Sequence, residues 1–225
     1  MATSGSTDFD LDVADVIEEA YERCGLELRT GYDAKTARRS LNIMFSEWAN
    51  RGVNLWTVRQ GTLTLTSGTA AYTSSNGLAT PMGDILEVAI RRSGTDFSVD
   101  RISRSEFLNI PVKTTSGRPS QFYFNRQISP EITLWPTPDN SSDILVYYYI
   151  TRIEDADTLV NTTDLPYRFL PCMVAGLAYY LALKRAPERV QLLKVVYEEE
   201  FQRAADEDED RVSLKLQPDI QYIRF

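Results

Sequence analysis

Carboxylates are the residues whose type and spacing in this sequence come closest to a catalytic or metal-binding pattern. Glu198 and Glu200 could supply the acid and the base of a glycoside hydrolase, a reaction that needs no histidine. Residues two positions apart do not share one helix face, however, and both lie in a charged helical run. The run Asp206–Asp210 lacks the glycine turn and the ligand spacing of a calcium loop. We therefore interpret these acids as solvated positions of a helix.

The composition and the absence of known motifs exclude most other kinds of catalytic site. The 225 residues include no histidine, which excludes Ser-His-Asp and Cys-His arrangements and most zinc sites. The sequence has no phosphate-binding glycine loop, dinucleotide fingerprint or nucleophile elbow. Cys24 and Cys172 each occupy an apolar position of a helical pattern, so we interpret them as buried side chains and not as a disulfide. We expect no enzymatic activity, no cofactor and no metal.

The chain is acidic, and its excess of acidic residues lies in two stretches. A net charge of −8 argues against a dedicated nucleic-acid binder. Residues 1–24 hold seven acids and one base, and residues 187–211 hold nine acids and four bases, which leaves +3 for the remainder. The middle of the chain carries arginines for which pairing with surface carboxylates is a better interpretation than phosphate binding. They are Arg91, Arg92, Arg101, Arg104, Arg118 and Arg126.

Two helices are predicted within residues 1–52. Asp12 is a suitable N-cap for the first helix, and Gly25 suits its end because glycine accepts the left-handed conformation. The second helix is predicted from about Asp33, as its N-cap, to Arg51. Apolar residues recur three and four positions apart and predict one buried stripe on each helix. The stripes include Val16 and Ile17, and then Leu41, Met44, Phe45 and Trp48.

Residues 53–155 have the pattern of an inserted β domain. The apolar residues change to a period of two, as at Leu63 and Leu65, and Ser-Gly, Asn-Gly and Pro-Asp dipeptides separate the strand-like runs. Ser103 and Glu106 form a capping box that predicts one short helix within this region. The block is therefore predicted to be antiparallel and of the sandwich or small-barrel type.

Two further helices are predicted within residues 156–211. The third begins near Leu165 or at Pro171 and is apolar almost all round, so other surfaces must cover every side of it. The fourth begins at about Pro187 and ends in the acidic run. The predicted core or subunit-interface positions are Met173, Val174, Leu177 and Leu181 in the third helix, and Val190, Leu193 and Tyr197 in the fourth.

The predicted fold class is α+β. It consists of an antiparallel four-helix bundle, the β domain inserted between the second and third helices, and an extended C-terminal tail over residues 212–225. The tail alternates apolar and polar residues and ends in large apolar side chains, which is not the pattern of a solvated chain end. Its apolar residues are Val212, Leu214, Leu216, Ile220, Tyr222, Ile223 and Phe225.

Three stretches in this order resemble the head-to-tail adaptor proteins of tailed bacteriophages, the group of tail tubular protein A. The first two helices read DVIEEAYERCGLELRTGYDAKTARRSLNIMFSEWANRGVNLWTV. The β region contains RISRSEFLNIPVKTTSGRPSQFYF, and the third helix reads LPYRFLPCMVAGLAYYLALK. The resemblance extends over residues 12–210, which is nearly the whole chain.

The resemblance implies a structural virion protein of the head-tail junction, assembled in the host cytoplasm. Such adaptors form a ring, usually of twelve copies, under the portal protein and offer a platform for the tail tube or nozzle protein. They extend the channel through which viral DNA passes without specific binding. In similar adaptors the C-terminal extension packs into the portal ring, and this role maps onto Val212–Phe225. We expect that segment to become ordered on the portal, and we expect no membrane partner.

Two other functions stay open at this point. A virion-associated peptidoglycan hydrolase would use Glu198 or Glu200, and a DNA-retention plug that completes the head would bind DNA in a salt-sensitive manner. The apolar, uncharged run Phe169–Leu183 is too short to span a bilayer, and the first ten residues do not resemble a signal peptide. An adaptor accounts best for the apolar third helix and the apolar tail together, because a ring subunit buries surface on more than one side.

Overall fold

The computed structural model describes residues 5, 9, 11–52 and 55–208. Within them the chain has the α+β composition that the sequence predicts. The helices are α1 (Val13–Arg23), α2 (Gly31–Arg51), α3 (Arg104–Asn109), α4 (Leu170–Arg185) and α5 (Val190–Glu207). The strands are β1 (Val58–Thr64), β2 (Ala71–Tyr72), β3 (Asp84–Arg92), β4 (Thr95–Ser98), β5 (Asp100–Arg101), β6 (Ser116–Gly117), β7 (Gln121–Asn125), β8 (Glu131–Trp135), β9 (Thr137–Pro138) and β10 (Ile144–Ile150).

The termini of α1 and α2 are capped by side chains and by glycine. The Oδ1 atom of Asp12 accepts a hydrogen bond from the backbone nitrogen of Asp15 at 2.9 Å. The prediction that Asp33 is the N-cap of α2 is wrong, because Thr30 takes that place and its Oγ1 atom accepts a hydrogen bond from the backbone nitrogen of Asp33 at 3.3 Å. Because Thr30 caps the helix, the carboxylate of Asp33 is available to bind Arg185 of α4. Gly52 ends α2 at φ 78°, the left-handed region, as predicted.

The four long helices share one apolar core, and α4 lies in its middle. Residues on most of the circumference of α4 are buried, and the helix packs against α1, α2 and α5. Lys184 contacts Ser40 while Gly176 lies against Met44, so α2 runs antiparallel to α4. Only residues 186–189 separate α4 from α5, which packs back along α4. These contacts cover the apolar helix as its composition requires, while a regular four-helix bundle stays a prediction.

The predicted core positions of the helices lie inside this subunit. Val190 is partly buried against the shared core. The other positions are buried in it, namely Val16, Ile17, Leu41, Met44, Phe45, Trp48, Met173, Val174, Leu177, Leu181, Leu193 and Tyr197. Burial of these side chains within one subunit means that contacts between subunits would use other residues.

Each of the two C-terminal helices follows a short 3₁₀ turn. Residues Tyr167–Phe169 form the turn before α4, which starts at Leu170 with Pro171 in its first turn. The start of α4 therefore falls between the two predicted positions. Residues Pro187–Arg189 form the second turn, so α5 begins three residues after the predicted start. Proline suits these positions because the first N–H groups of a helix have no intrahelical acceptor.

The inserted region contains two four-stranded sheets that pack face to face. The first sheet has the order β1-β10-β3-β4 and the second has the order β2-β8-β7-β5. Pairing is antiparallel except between β5 and β7 and between β6 and β9. One apolar core joins Leu63, Ile85 and Leu145 of the first sheet to Phe122 and Ile132 of the second. The described strands close no barrel, so of the two predicted arrangements the sheets form the sandwich.

Both ends of the β domain meet beside the helices. Val58 at the start of β1 pairs with Ile150 at the end of β10. Beyond β10, the Oδ1 atom of Asn42 in α2 accepts a hydrogen bond from the backbone nitrogen of Ala156 at 2.8 Å. The chain then forms backbone hydrogen bonds with the start of α1. The β domain is therefore attached to the helices through a connection that is itself bound to α1 and α2.

Candidate functional site

The predicted docking tail, residues 212–225, lies outside the described residues, and the last described residue before it is Asp208. The helix α5 ends at Glu207, and Asp208 is its C-cap. The buried carboxylate of Asp208 forms an ion pair with the guanidinium of Arg168. Arg168 is two residues before Leu170, the first residue of α4. The chain therefore leaves the described part beside the beginning of α4.

A groove of about 520 Å³ lies between α1 and α4, next to this point. Four apolar residues line it, and we call them its floor: Leu11, Leu170, Pro171 and Val174. The charged lining residues are all exposed, and we call them its acidic rim: Asp15, Glu18, Glu19 and Glu22, with Arg23 as the single basic one. Arg23 binds Glu19 at 2.8 Å, so the rim retains a negative charge. An apolar floor with an acidic rim suits a basic, amphipathic segment.

Arg51 joins the C-terminal end of α2 to α5. Its guanidinium donates hydrogen bonds to both carboxylate oxygens of Glu198, at 2.7 and 3.0 Å, and a third to Glu47. The hydrogen bonds that Arg51 donates to Glu198 lower the pKa of Glu198. A general acid needs a raised pKa, so Glu198 has the opposite property to the one that a glycoside hydrolase requires. Glu200, the other candidate, binds Arg203 at 2.7 Å on the same helix.

Two cations at the end of α4 bind α2. The Nη2 atom of Arg185 donates a hydrogen bond to the Oδ1 atom of Asp33 at 2.6 Å, and this bond lowers the pKa of Asp33. The Nζ atom of Lys184 donates to the Oγ atom of Ser40 at 2.6 Å, and burial lowers the pKa of Lys184. Both cations also suit the negative end of the helix dipole. These contacts fix the register of α4 against α2.

Both cysteines are buried, as predicted. The Sγ atom of Cys24 donates a hydrogen bond to the backbone oxygen of Ala178 at 3.0 Å, so it links α1 to α4. Burial raises the pKa of the thiols of Cys24 and Cys172. A buried thiol that holds its proton is neither a nucleophile nor a metal ligand, and both side chains therefore serve as small core residues.

The arginines of the β domain mostly bind carboxylates of the same domain. Arg91 makes two hydrogen bonds to Asp96, each of 2.7 Å, across the turn between β3 and β4. Arg92 binds the buried carboxylate of Asp143 at 2.7 to 3.0 Å. Arg101 and Arg126 pair with Asp84, and Arg118 lies over the ring of Phe97. These contacts agree with the predicted pairing of the arginines with surface carboxylates. They leave little unpaired positive charge that could bind phosphate.

Several apolar side chains on the helices are exposed, and the sequence periodicity did not identify them as candidate contact positions. Leu192 and Val195 of α5 are 68% and 55% exposed. Ile43 of α2 and Leu183 of α4 are each about half exposed. The predicted core or subunit-interface positions do not include these four residues, which fall outside the regular apolar stripe. An apolar residue out of phase with the stripe is a candidate for such a position, but only the packing of the other elements decides whether it is covered.

Metal-binding and membrane-spanning features are absent from the part of the chain that the structure describes. Among residues 11–52 and 55–208, no group of three or more cysteine, aspartate or glutamate side chains is placed to hold a metal ion. Within the same two ranges, no helix is both long enough and apolar enough to cross a membrane. The described features that remain are the acidic groove, the exposed apolar positions and the end of α5 at Asp208.

The sequence of the chain matches a known protein family. A protein-family model described as SU10 adaptor protein matches residues 8–219. The matched range includes all five helices, the β domain and the beginning of the tail. No curated protein matches the chain. The match agrees with the predicted phage adaptor and does not extend to the narrower tail tubular protein A type.

Proposed function

The chain belongs to the SU10 adaptor protein family, and from this premise we propose that it joins the DNA-filled head of a tailed phage to the tail. Family membership makes it a phage structural adaptor, a virion component in contact with other phage structural proteins. In the proposed assembly, copies of the chain form a ring, of twelve as in similar adaptors, beneath the portal protein. The tail tube or nozzle protein then binds the ring, and DNA passes through its channel.

The helices are the proposed rigid body of each ring subunit, as one antiparallel four-helix bundle. A ring subunit buries surface against a neighbour on two sides, and it needs a stable core of its own to present those surfaces. The burial of α4 among three helices supplies that core. The exposed side chains of Leu192 and Val195 on α5 supply apolar area for a lateral contact. We therefore place α5 in the contact between neighbouring subunits.

The tail is the proposed portal-binding segment. Its apolar residues recur through residues 212–225 and would be poorly hydrated without a partner. The ion pair between Arg168 and Asp208 holds the last described residue, four positions before the tail, at the beginning of α4. A firmly held origin limits the region that the tail can reach, which favours a defined docking site on the portal over a loose attachment.

The proposed role is structural and not enzymatic. The net charge of −8 and the internal pairing of the β-domain arginines both support a channel protein that lets DNA pass without gripping it. The lowered pKa of Glu198 counts against an acid catalyst at the carboxylate pair. We propose that purified protein leaves peptidoglycan intact and shows no salt-sensitive DNA binding.

The family match over residues 8–219 is the observation that carries this proposal. The test is the joining of portal-containing heads to tails by protein that ends at Arg211. We expect full-length protein to join them and the truncated protein to fail, because the apolar segment is gone. Matched variants keep the length: Leu214→Asp with Leu216→Asp should fail, whereas Ser213→Asp with Gln217→Asp should still join them. Attachment by the truncated protein would refute the tail assignment.

A further inference from the structure

The groove between α1 and α4 lies where the chain leaves the described structure. Asp208 is held by Arg168, and Leu170, two residues further along the chain from Arg168, lies in the floor of the groove. Three peptide units from Asp208 to Arg211 reach at most about 10 Å. Arg211 therefore lies no more than about 10 Å from Asp208, which Arg168 holds at the turn that leads into the groove residue Leu170.

The segment that follows matches the groove in chemistry. Residues 211–217 read RVSLKLQ, in which the apolar residues Val212, Leu214 and Leu216 alternate with polar and basic ones. In an extended segment these three side chains share one face, which suits the apolar floor. The segment carries two basic residues, Arg211 and Lys215, and no acid, whereas the rim has four carboxylates and one guanidinium. Opposite charges would thus face each other along the rim.

The lengths match as well. Val212 to Leu216 spans four residue steps, or about 13 Å when extended. Asp15 to Glu22, the acidic rim, spans seven steps of α-helix, or about 11 Å. One extended segment therefore covers the groove without a turn. The N-terminal residues 1–10 are a poorer fit because their charged residues are both acidic, Asp8 and Asp10, and would be repelled by the rim.

We propose that residues 211–217 pack into the groove between α1 and α4 of their own subunit before the tail engages any partner. The groove then holds the apolar part of the tail out of water in the free chain, and docking on a partner requires its release. This inference replaces the expectation that the segment becomes ordered on the portal alone. It rests on the groove and the tail sequence, so it can be tested without portal protein.

The test is a photo-cross-linking experiment on the full-length free chain. A benzophenone amino acid replaces Leu214, and irradiated protein is digested and analysed by mass spectrometry. We expect cross-links to peptides that contain residues 11–23 or 170–174. An equal mixture of light and isotope-labelled chains separates the two possible sources, because packing within one subunit joins only peptides of the same label. Cross-links to other regions, or between differently labelled chains, would overturn the proposal.

Charge-reversal variants test whether the acidic rim attracts the basic residues of the segment. Glu18→Lys with Glu22→Lys should lower the yield of these cross-links about tenfold, since two attractive pairs become repulsive. Glu87→Lys with Glu154→Lys changes the net charge equally at exposed sites elsewhere and should leave the yield unchanged. Arg211→Glu with Lys215→Glu should restore cross-linking in the rim variant. An unchanged yield in the rim variant, or no recovery in the charge swap, would contradict the proposed pairing.

Discussion

The indole Nε1 atom of Trp48 in α2 donates a hydrogen bond to the hydroxyl of Tyr197 in α5 at 2.8 Å, and both side chains are fully buried. The same hydroxyl donates to Glu47 at 3.0 Å, and burial raises the pKa of Tyr197. The ring of Trp48 also packs against Phe169, with the ring centroids 5.7 Å apart. This polar contact inside an apolar core fixes α5 against α2, and it places the outer face of α5 in one orientation.

Replacing Tyr197 with phenylalanine tests that contact. The substitution keeps the ring but leaves the indole N–H of Trp48 buried without an acceptor, so we expect the free energy of unfolding to fall by about 2 kcal/mol. Urea unfolding followed by tryptophan fluorescence measures the change. Tyr32→Phe is the matched control, because Tyr32 is 71% exposed and its variant should unfold like the original protein. Equal stability of the two variants would show that the Trp48 contact contributes little.

Gly176 marks the closest approach of helices in the core. A Cβ atom at this position would lie 2.8 Å from the ring of Tyr197 and would also clash with the sulfur of Met44. We expect Gly176→Ala to lower the free energy of unfolding by about 1–3 kcal/mol, despite the better helix propensity of alanine. Gly31→Ala in α2 has open space around the added methyl group and should not destabilise the chain. Thermal or urea unfolding of both variants compares them, and a stabilised Gly176→Ala protein would contradict the close packing.

Arg91 and Arg92 are neighbouring arginines with carboxylate partners of different burial. The Asp143 side chain bound by Arg92 is 1% exposed, whereas the Asp96 side chain bound by Arg91 is 46% exposed. Arg92→Met would leave a buried carboxylate without its guanidinium, and we expect a loss of about 2–3 kcal/mol because Arg92 itself is partly exposed. Arg91→Met should cost clearly less, because Arg91 and Asp96 are both exposed and solvent screens their ion pair. Similar losses in urea unfolding for both variants would be inconsistent with the buried pair.

The ion pair between Arg51 and Glu198 predicts a dependence of stability on pH. Because Arg51 lowers the pKa of Glu198 below its ordinary value of 4.5, the pair stabilises the folded chain above pH 4.5. That contribution disappears as the pH falls through the lower pKa of the folded state. We expect Glu198→Gln to be slightly less stable than the original protein at pH 7, by under about 1 kcal/mol, and to lose less stability on acidification. Urea midpoints measured from pH 3 to pH 7 test this, and parallel curves for both proteins would contradict it.

The outer face of α5 predicts the contact between subunits. Leu192→Asp with Val195→Asp should leave the monomer folded, because both side chains are exposed, but should prevent ring formation on the portal. The matched control is Leu108→Asp with Val112→Asp, which changes two exposed apolar residues of the β domain. Negative-stain images of mixtures with portal protein distinguish rings from single subunits. Normal rings from the α5 variant would place the lateral contact elsewhere.

Local sequence signals predicted the elements whose determinants are close in the chain. The capping box of Ser103 and Glu106 occurs as predicted and starts α3, because both partners lie within one turn. Gly52 ends α2 for the same reason. The N-cap of α2 was misplaced because Thr30 and Asp33 are both good capping residues, and Asp33 binds Arg185, which lies 152 residues away in the chain. The local sequence around Asp33 does not indicate a partner that is so far away in the chain.

The candidate site was less accessible to sequence reasoning than the fold. The apolar tail could be identified from residues 212–225 alone, since its pattern is local. The acidic groove could not, because Glu18 and Pro171 become neighbours only when α1 packs against α4. The exposed position of Leu192 was equally hidden, because periodicity identifies the stripe that a helix buries but does not reveal which apolar residues outside it stay uncovered.

A reconstruction of the virion neck shows whether this chain forms the ring between portal and tail. We expect a ring of this subunit in contact with the portal, with density for residues 212–225 against the portal surface and with α5 between neighbouring subunits. A neck in which the chain is absent, or in which it lies away from the portal, would rule out the adaptor ring.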